Sequence, residues 1–198
     1  PYFKKSQRAD ERTKPHPYQG HEGPLSTTTG KMLNPLYKIF VEAAVSAGFP
    51  RNDDINGENQ EGFGPMPMTV DSGRRASTYQ AFIKNQHLKN LTVFRGATAE
   101  KIIFERGRAV GVSFARRNNL SSVRADSEVI LCAGAISSPQ ILMLSGIGAE
   151  DELASHGIKT VAHLPGVGKN LMDHLEVYVQ QACAQPVSIH KHLNLRGK

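Results

Sequence analysis

Glu128-Val129-Ile130-Leu131-Cys132, followed by Ala133-Gly134-Ala135-Ile136-Ser137-Ser138-Pro139-Gln140-Ile141-Leu142-Met143-Leu144-Ser145-Gly146-Ile147-Gly148, is the stretch that decides the fold. Its opening run is continuously apolar after Glu128, which suits a strand buried on both faces, as in a parallel sheet. Small residues follow at 133–135. Ser138-Pro139 predicts the start of a helix, Ile141, Leu142 and Leu144 give it an apolar side, and Gly146 and Gly148 end it. Strand, small-residue turn and helix together make an α/β unit. Small residues at a strand end let a ligand or another backbone come close, and a helix N-terminus favours anions. A tight corner without a ligand fits the same residues equally well.

Upstream, Leu91-Thr92-Val93-Phe94 reads as a strand, and 99–104 as another. Arg106-Gly107 makes a turn, after which Val110, Val112 and Phe114 alternate toward one face, so a β-hairpin is expected. A second turn at Asn118-Asn119 leads to Val123. Downstream, 150–156 reads as a short helix with acids at its N-terminus, where the macrodipole favours them, and Gly157 stops it. A last strand is expected at 175–182. Leu175, Val177 and Val179 share one of its faces, and Glu176, Tyr178 and Gln180 share the other.

The N-terminal part is looser. Residues 13–31 are rich in Pro, Gly, Ser and Thr and read as a long irregular excursion. Asn34-Pro35 is an N-cap followed by Pro at the first helical position, predicting a helix at 35–47 that Gly48 and Pro50 end. Asp53, Asp54, Asn56 and Gly57 suggest a calcium loop, but no bidentate acid stands at its final position, so a turn and a broken strand are expected instead. A short helix is expected at 78–88.

Composition narrows the class. The chain has 198 residues, 39% of them hydrophobic and 21% charged, which excludes a disordered chain, a collagen and a coiled coil. No apolar run reaches the ~20 residues of a membrane helix. Two cysteines, Cys132 and Cys183, exclude a disulfide-rich scaffold, and Cys132 within its apolar run reads as an inert core thiol. Lys and Arg total 24 against 18 Asp and Glu, a net charge of +6. Lys4, Lys5, Arg8, Arg12 and Lys14 cluster near the start, but Asp10 and Glu11 interrupt them, and a solvated basic face is expected rather than a nucleic-acid site. His190 and His192 near a polar end read as solvent-exposed rather than metal-binding. Gly166-Val167-Gly168 lacks the third glycine of a dinucleotide fingerprint. The chain starts at Pro1 rather than Met and is expected to be an internal piece of a longer protein.

The residues at 134–148 resemble the second signature of the glucose–methanol–choline (GMC) oxidoreductases at every constrained position. The surroundings agree: Asn90-Leu91-Thr92-Val93, Arg108-Ala109-Val110-Gly111-Val112, and Leu164-Pro165-Gly166-Val167-Gly168 through Asp173-His174. Asp54-Ile55-Asn56-Gly57, Gln60-Glu61-Gly62-Phe63-Gly64 and Asp173-His174-Leu175-Glu176 are similar to the choline-oxidising members in particular. The resemblance implies an α/β (α+β) chain: an incomplete FAD-binding Rossmann-like fold with part of an antiparallel-sheet substrate domain. Residues 1–88 would belong to the substrate or cap domain, 89–172 to the FAD-binding domain, and 173–198 to the return into the substrate domain.

The implied activity is oxidation of choline to betaine aldehyde, with hydride transfer to flavin N5 and an electron acceptor such as a quinone. The catalytic His and Asn of the family fall outside these residues, so the chain alone is expected to be inactive and colourless. Peripheral association with the mitochondrial inner membrane is implied if the source is eukaryotic, and a bacterial cytoplasmic or membrane-associated setting otherwise. Carried over position by position, Ala99 matches a residue whose backbone meets the flavin adenine. Ala133 and Gly134 match the strand end against the FAD adenosine. Glu176 matches the acid that faces the trimethylammonium of choline, with Tyr178 two residues on. A carboxylate 4 Å from a fixed cation gains about 1 kcal/mol in water and about 4 kcal/mol at an effective dielectric of 20. Other readings stay open: a sugar, aryl or aliphatic alcohol oxidoreductase of the same family, or a basic non-catalytic binding module.

Overall fold

A computed structural model describes residues 1–10, 17–31, 33–84, 86, 88–182, 184, 185 and 187. Arg12, Lys14, Cys183, His190 and His192 lie outside the described residues, as does most of the segment after 182. Helices and strands are mixed, and the chain divides into two compact units, Pro1–Leu91 with the residues from Val179 onward, and Thr92–Tyr178.

The first unit opens with α1 (Tyr2–Ser6) and β1 (Gln7–Ala9), and continues through β2 (Leu25–Thr29) and α2 (Pro35–Ser46) to β3 (Pro67–Met68). The sheet order is β1-β2-β3. β1 runs parallel to β2 with Arg8 opposite Ser26, and β3 runs antiparallel with Met68 opposite Thr28. β2 corrects the expected irregular excursion over 13–31. Its three consecutive threonines are β-branched and suit a pleated strand more than their turn-rich neighbours suggest.

α2 forms as its caps dictate. The Asn34 Oδ1 accepts from the Leu36 amide at 2.9 Å, Pro35 takes the first helical position, and Gly48 follows the end at φ +92°. Val41 and Ala44 are its buried residues. Phe63 packs against Phe40 at 5.5 Å and Phe49 at 5.4 Å between ring centroids. The Asp53–Gly57 region is a pair of Asx turns. Asn52 Oδ1 accepts from the Asp54 amide and Asp54 Oδ1 accepts from the Asn56 amide. β4 (Val70–Asp71) and β5 (Arg74–Arg75) form a tight hairpin, and a π-helical turn at Gln80–Lys84 replaces the longer helix expected at 78–88.

The second unit is built on an antiparallel sheet in the order β6-β7-β8, comprising Ala97–Glu105, Arg108–Arg116 and Asn119–Arg124. Each hairpin closes through two residues with positive φ, as a type I′ turn requires: Arg106 (51°) and Gly107 (77°), then Arg117 (49°) and Asn118 (62°). The second turn therefore lies one residue earlier than expected, because Arg116 pairs with Asn119. α3 (Gly134–Leu144) follows. β9 (Ile147–Gly148) pairs in parallel with β10 (Ala162–His163), and α4 (Glu150–Ser155) lies between them in the chain. Leu153 of α4 is the most buried large side chain among the described residues, at 1% exposure.

Five expectations are overturned here. The apolar run at 128–132 enters no sheet: Ile130 is 74% exposed and Cys132 is exposed rather than a core thiol. Residues 91–94 also form no strand, and neither do 175–182, where Leu175 is 98% exposed. A strand exists only where a neighbour completes its ladder and a layer covers its apolar face. Among the described residues no such neighbour reaches these segments. Finally, α3 begins at Gly134, so Pro139 lies inside the helix rather than at its start. The Ser138 hydroxyl accepts from the Ala133 amide at 3.1 Å, tying the first turn to the residue before it.

Candidate functional site

All five residues singled out by sequence lie in the second unit, but not as one cluster. Ala133 and Gly134 form the entry to α3. Gly134 has φ +85°, and a Cβ added there would meet nothing within 4 Å. Ala133, Gly134, Ala135 and Ile136 are exposed, and no side chain caps the helix from the N-cap position. First-turn amides lack acceptors within the helix. The Ala133 amide is taken by Ser138, while the small residues leave the rest of the turn open to approach.

Ala99 lies on β6 opposite Phe114. The ladder slips there: Ala99 pairs with Phe114 and Lys101 with Ser113, so Glu100 is the extra residue of a β-bulge. Such a residue is left out of the ladder, which exposes backbone beside Ala99, itself exposed.

Glu176 and Tyr178 lie after Asp173-His174 in a segment outside any helix or strand. The Tyr178 phenol donates to Glu176 Oε2. That bond holds the phenol pKa above its ordinary value, with a smaller contribution from desolvation in the same direction. Tyr178 is 81% exposed. No hydrogen bond among the described residues joins this pair to Ala99, Ala133 or Gly134.

Sequence reasoning missed Ser145. It is buried, its Oγ accepts from the Ile102 amide at 2.8 Å, and it donates to the Ile141 carbonyl at 2.5 Å. A serine just after an apolar helix can return its hydroxyl to the carbonyl four residues back; that was the available signal. A largely apolar cleft of 880 Å³ runs beside α3, with Ile136, Pro139, Met143, Leu153 and Met172 in its walls. In the first unit a cleft of 840 Å³ holds Arg8, whose guanidinium donates to Ser26 Oγ at 2.6 Å and to Asp71 at 3.4 Å. Among the described residues no group of three or more His, Cys, Asp and Glu could hold a metal ion, and no helix is long and apolar enough to cross a membrane.

The residues at 134–148 that open and form α3 carry the signature noted in the sequence. The GMC oxidoreductase family matches residues 1–176, and the chain belongs to that family. The chain is 50% identical to the oxygen-dependent choline dehydrogenase of Ectopseudomonas mendocina (strain ymp), over 98% of this chain and 35% of that protein. It is also 50% identical to the oxygen-dependent choline dehydrogenase of Pectobacterium carotovorum subsp. carotovorum (strain PC1), over 96% of this chain and 34% of that one. The formate oxidase of Aspergillus oryzae RIB40, studied for its FAD modification, matches with a TM-score of 0.79 at 30% identity, over 88% of this chain and 31% of its own. The chain thus spans about a third of the length of the curated relatives it matches.

Proposed function

We propose that this chain is part of an FAD-dependent oxidoreductase that converts choline to betaine aldehyde. The observation that carries the reading is 50% identity, over nearly the whole chain, to proteins named oxygen-dependent choline dehydrogenase. Their name supports dioxygen as the electron acceptor. An oxygen electrode tests it against a quinone. Residues 1–88 and 173–198 are assigned to the substrate domain and 89–172 to the FAD-binding domain.

The residues fit FAD on its adenosine side. The glycine at position 134 leaves open space where a side chain would stand, and the bulge beside Ala99 frees backbone from the ladder. Both suit a cofactor approached by backbone rather than gripped by long side chains. FAD, when bound, supplies the hydride acceptor for oxidation of the alcohol carbon.

Glu176 is assigned the quaternary ammonium of choline, which offers no hydrogen-bond donor and is recognised by charge. Tyr178 holds one carboxylate oxygen, which orients the acid and presents an aromatic face to the same cation. The test uses the full-length protein, choline, and 3,3-dimethylbutan-1-ol, in which carbon replaces the charged nitrogen. Glu176→Gln is expected to raise KM for choline about tenfold and leave KM for the neutral alcohol unchanged. An unchanged KM for choline would sink the cation-anchor role. Purified full-length protein without a flavin spectrum would sink the FAD reading.

A further inference from the structure

β6 and α3, the two elements that border the proposed FAD site, meet at one buried hydroxyl. Ser145 is 7% exposed and Ile102 8% exposed. Among the described residues β6 is an edge strand of its sheet, with β7 on one side only. The Ile102 amide points away from β7 and would find no ladder partner. It donates instead to Ser145 Oγ at 2.8 Å. The same hydroxyl donates its own hydrogen bond to the Ile141 carbonyl at 2.5 Å, one turn back along the helix. A buried amide left without an acceptor bears its full desolvation cost, so this hydroxyl sets where the helix end can lie against the strand.

We propose that Ser145 is a positioning residue for the cofactor site, fixing α3 against β6 and thereby the spacing between Gly134 and Ala99. The inference rests on the functional reading above. Ala99 stands three residues before Ile102 on β6. Gly134 stands at the opposite end of α3 from Ser145, eleven residues away and about 16 Å along the axis at 1.5 Å per residue. Over that lever, a tilt of about 5° at the Ser145 end moves Gly134 by about 1.4 Å. Displacements near 1 Å are enough to loosen a binding site whose supporting contacts are lost. The hydroxyl touches neither proposed contact and acts through the geometry of both.

The test is FAD affinity in the full-length protein, read by flavin fluorescence quenching on refilling the apoprotein. Ser145→Ala is expected to raise the FAD Kd about tenfold. Ser145→Thr keeps the hydroxyl and is expected to stay within about twofold of wild type. Ser145→Cys, with a weak thiol donor and acceptor, is expected to fall between them, and serves if the alanine variant does not fold. Ile141→Val trims the same core but leaves both hydrogen bonds, since Ile141 contributes only its backbone carbonyl. It is expected to lower thermal stability while leaving the FAD Kd within about twofold. Wild-type affinity in the alanine or cysteine variant would overturn the inference, and so would an equal loss in Ile141→Val. Wild-type protein that takes up no FAD would overturn the functional reading and this inference together.

Discussion

Arg124 on β8 clasps Glu105 on β6 through two hydrogen bonds, Nη1 to Oε1 at 2.5 Å and Nη2 to Oε2 at 3.1 Å, across the strand that separates them. The fork-to-fork geometry is the strong form of an ion pair, but both side chains are more than half exposed. It is therefore a modest clamp on the sheet that carries Ala99 and Ile102.

The clamp has a pH signature. The hydrogen bond from Arg124 holds the Glu105 carboxyl below its ordinary value of 4.5, the guanidinium charge adds to this, and desolvation opposes it. A carboxyl with a depressed folded pKa adds stability that is present above its unfolded pKa and lost as pH falls through the folded one. Glu105→Gln should lower the melting temperature by a few degrees at pH 7, and the difference should vanish once the native carboxyl is protonated. A melting difference that persists unchanged into strong acid would rule out the carboxylate as its source.

Gly111 stands between Arg124 and Ile103 in the register of the three strands. A Cβ there would lie 2.4 Å from the Val123 carbonyl oxygen, which is backbone and cannot swing aside. Gly111→Ala should cost about 1–3 kcal/mol by forcing β7 and β8 apart, read from the denaturant midpoint. Its effect should exceed that of Glu105→Gln. Full tolerance of alanine would mean that the strands are spaced more loosely at this position.

Asn34 carries the start of α2. Asn34→Ala removes the acceptor for the Leu36 amide and should cost about 1 kcal/mol. Asn34→Asp keeps that acceptor but loses the donor to the Val187 carbonyl, now made at 3.0 Å. The aspartate variant should recover most of the stability in chemical denaturation. Equal losses in both variants would assign the effect to Val187 instead.

Local signals in the sequence were legible where one or two residues fix a conformation. Asn34-Pro35 announced α2, Arg106-Gly107 the first hairpin, and Gly157 the end of α4. Signals that depend on a distant partner were not. The run at 128–132 and the alternation at 175–182 both have strand chemistry, yet a strand is a property of two segments, and neither finds its second segment among the described residues. α3 was misplaced for a related reason. Ser138-Pro139 has the grammar of a helix start, but the serine reaches back to the Ala133 amide and the helix already begins at Gly134. Of the candidate site, the signature located Gly134 and the spacing paired Glu176 with Tyr178. The bond from Ser145 to Ile102 spans 43 residues, and no local pattern encodes it.

The Tyr178–Glu176 pair gives the sharpest prediction about substrate. If the phenol orients the carboxylate, Tyr178→Phe in the full-length protein should raise KM for choline about two- to fivefold, less than Glu176→Gln. In the Glu176→Gln background the same change should add little, because the charge it orients is gone. The phenol pKa is raised by that bond, so the orienting hydrogen bond is fully present below the ordinary tyrosine value of 10.0 and is lost as pH rises through the higher folded value. The ratio of KM between Tyr178→Phe and wild type should therefore be flat from neutrality to about pH 10 and fall toward one above it. Additive losses in the double variant, or a ratio that collapses well below pH 10, would show that the Tyr178 hydroxyl does not act by orienting Glu176.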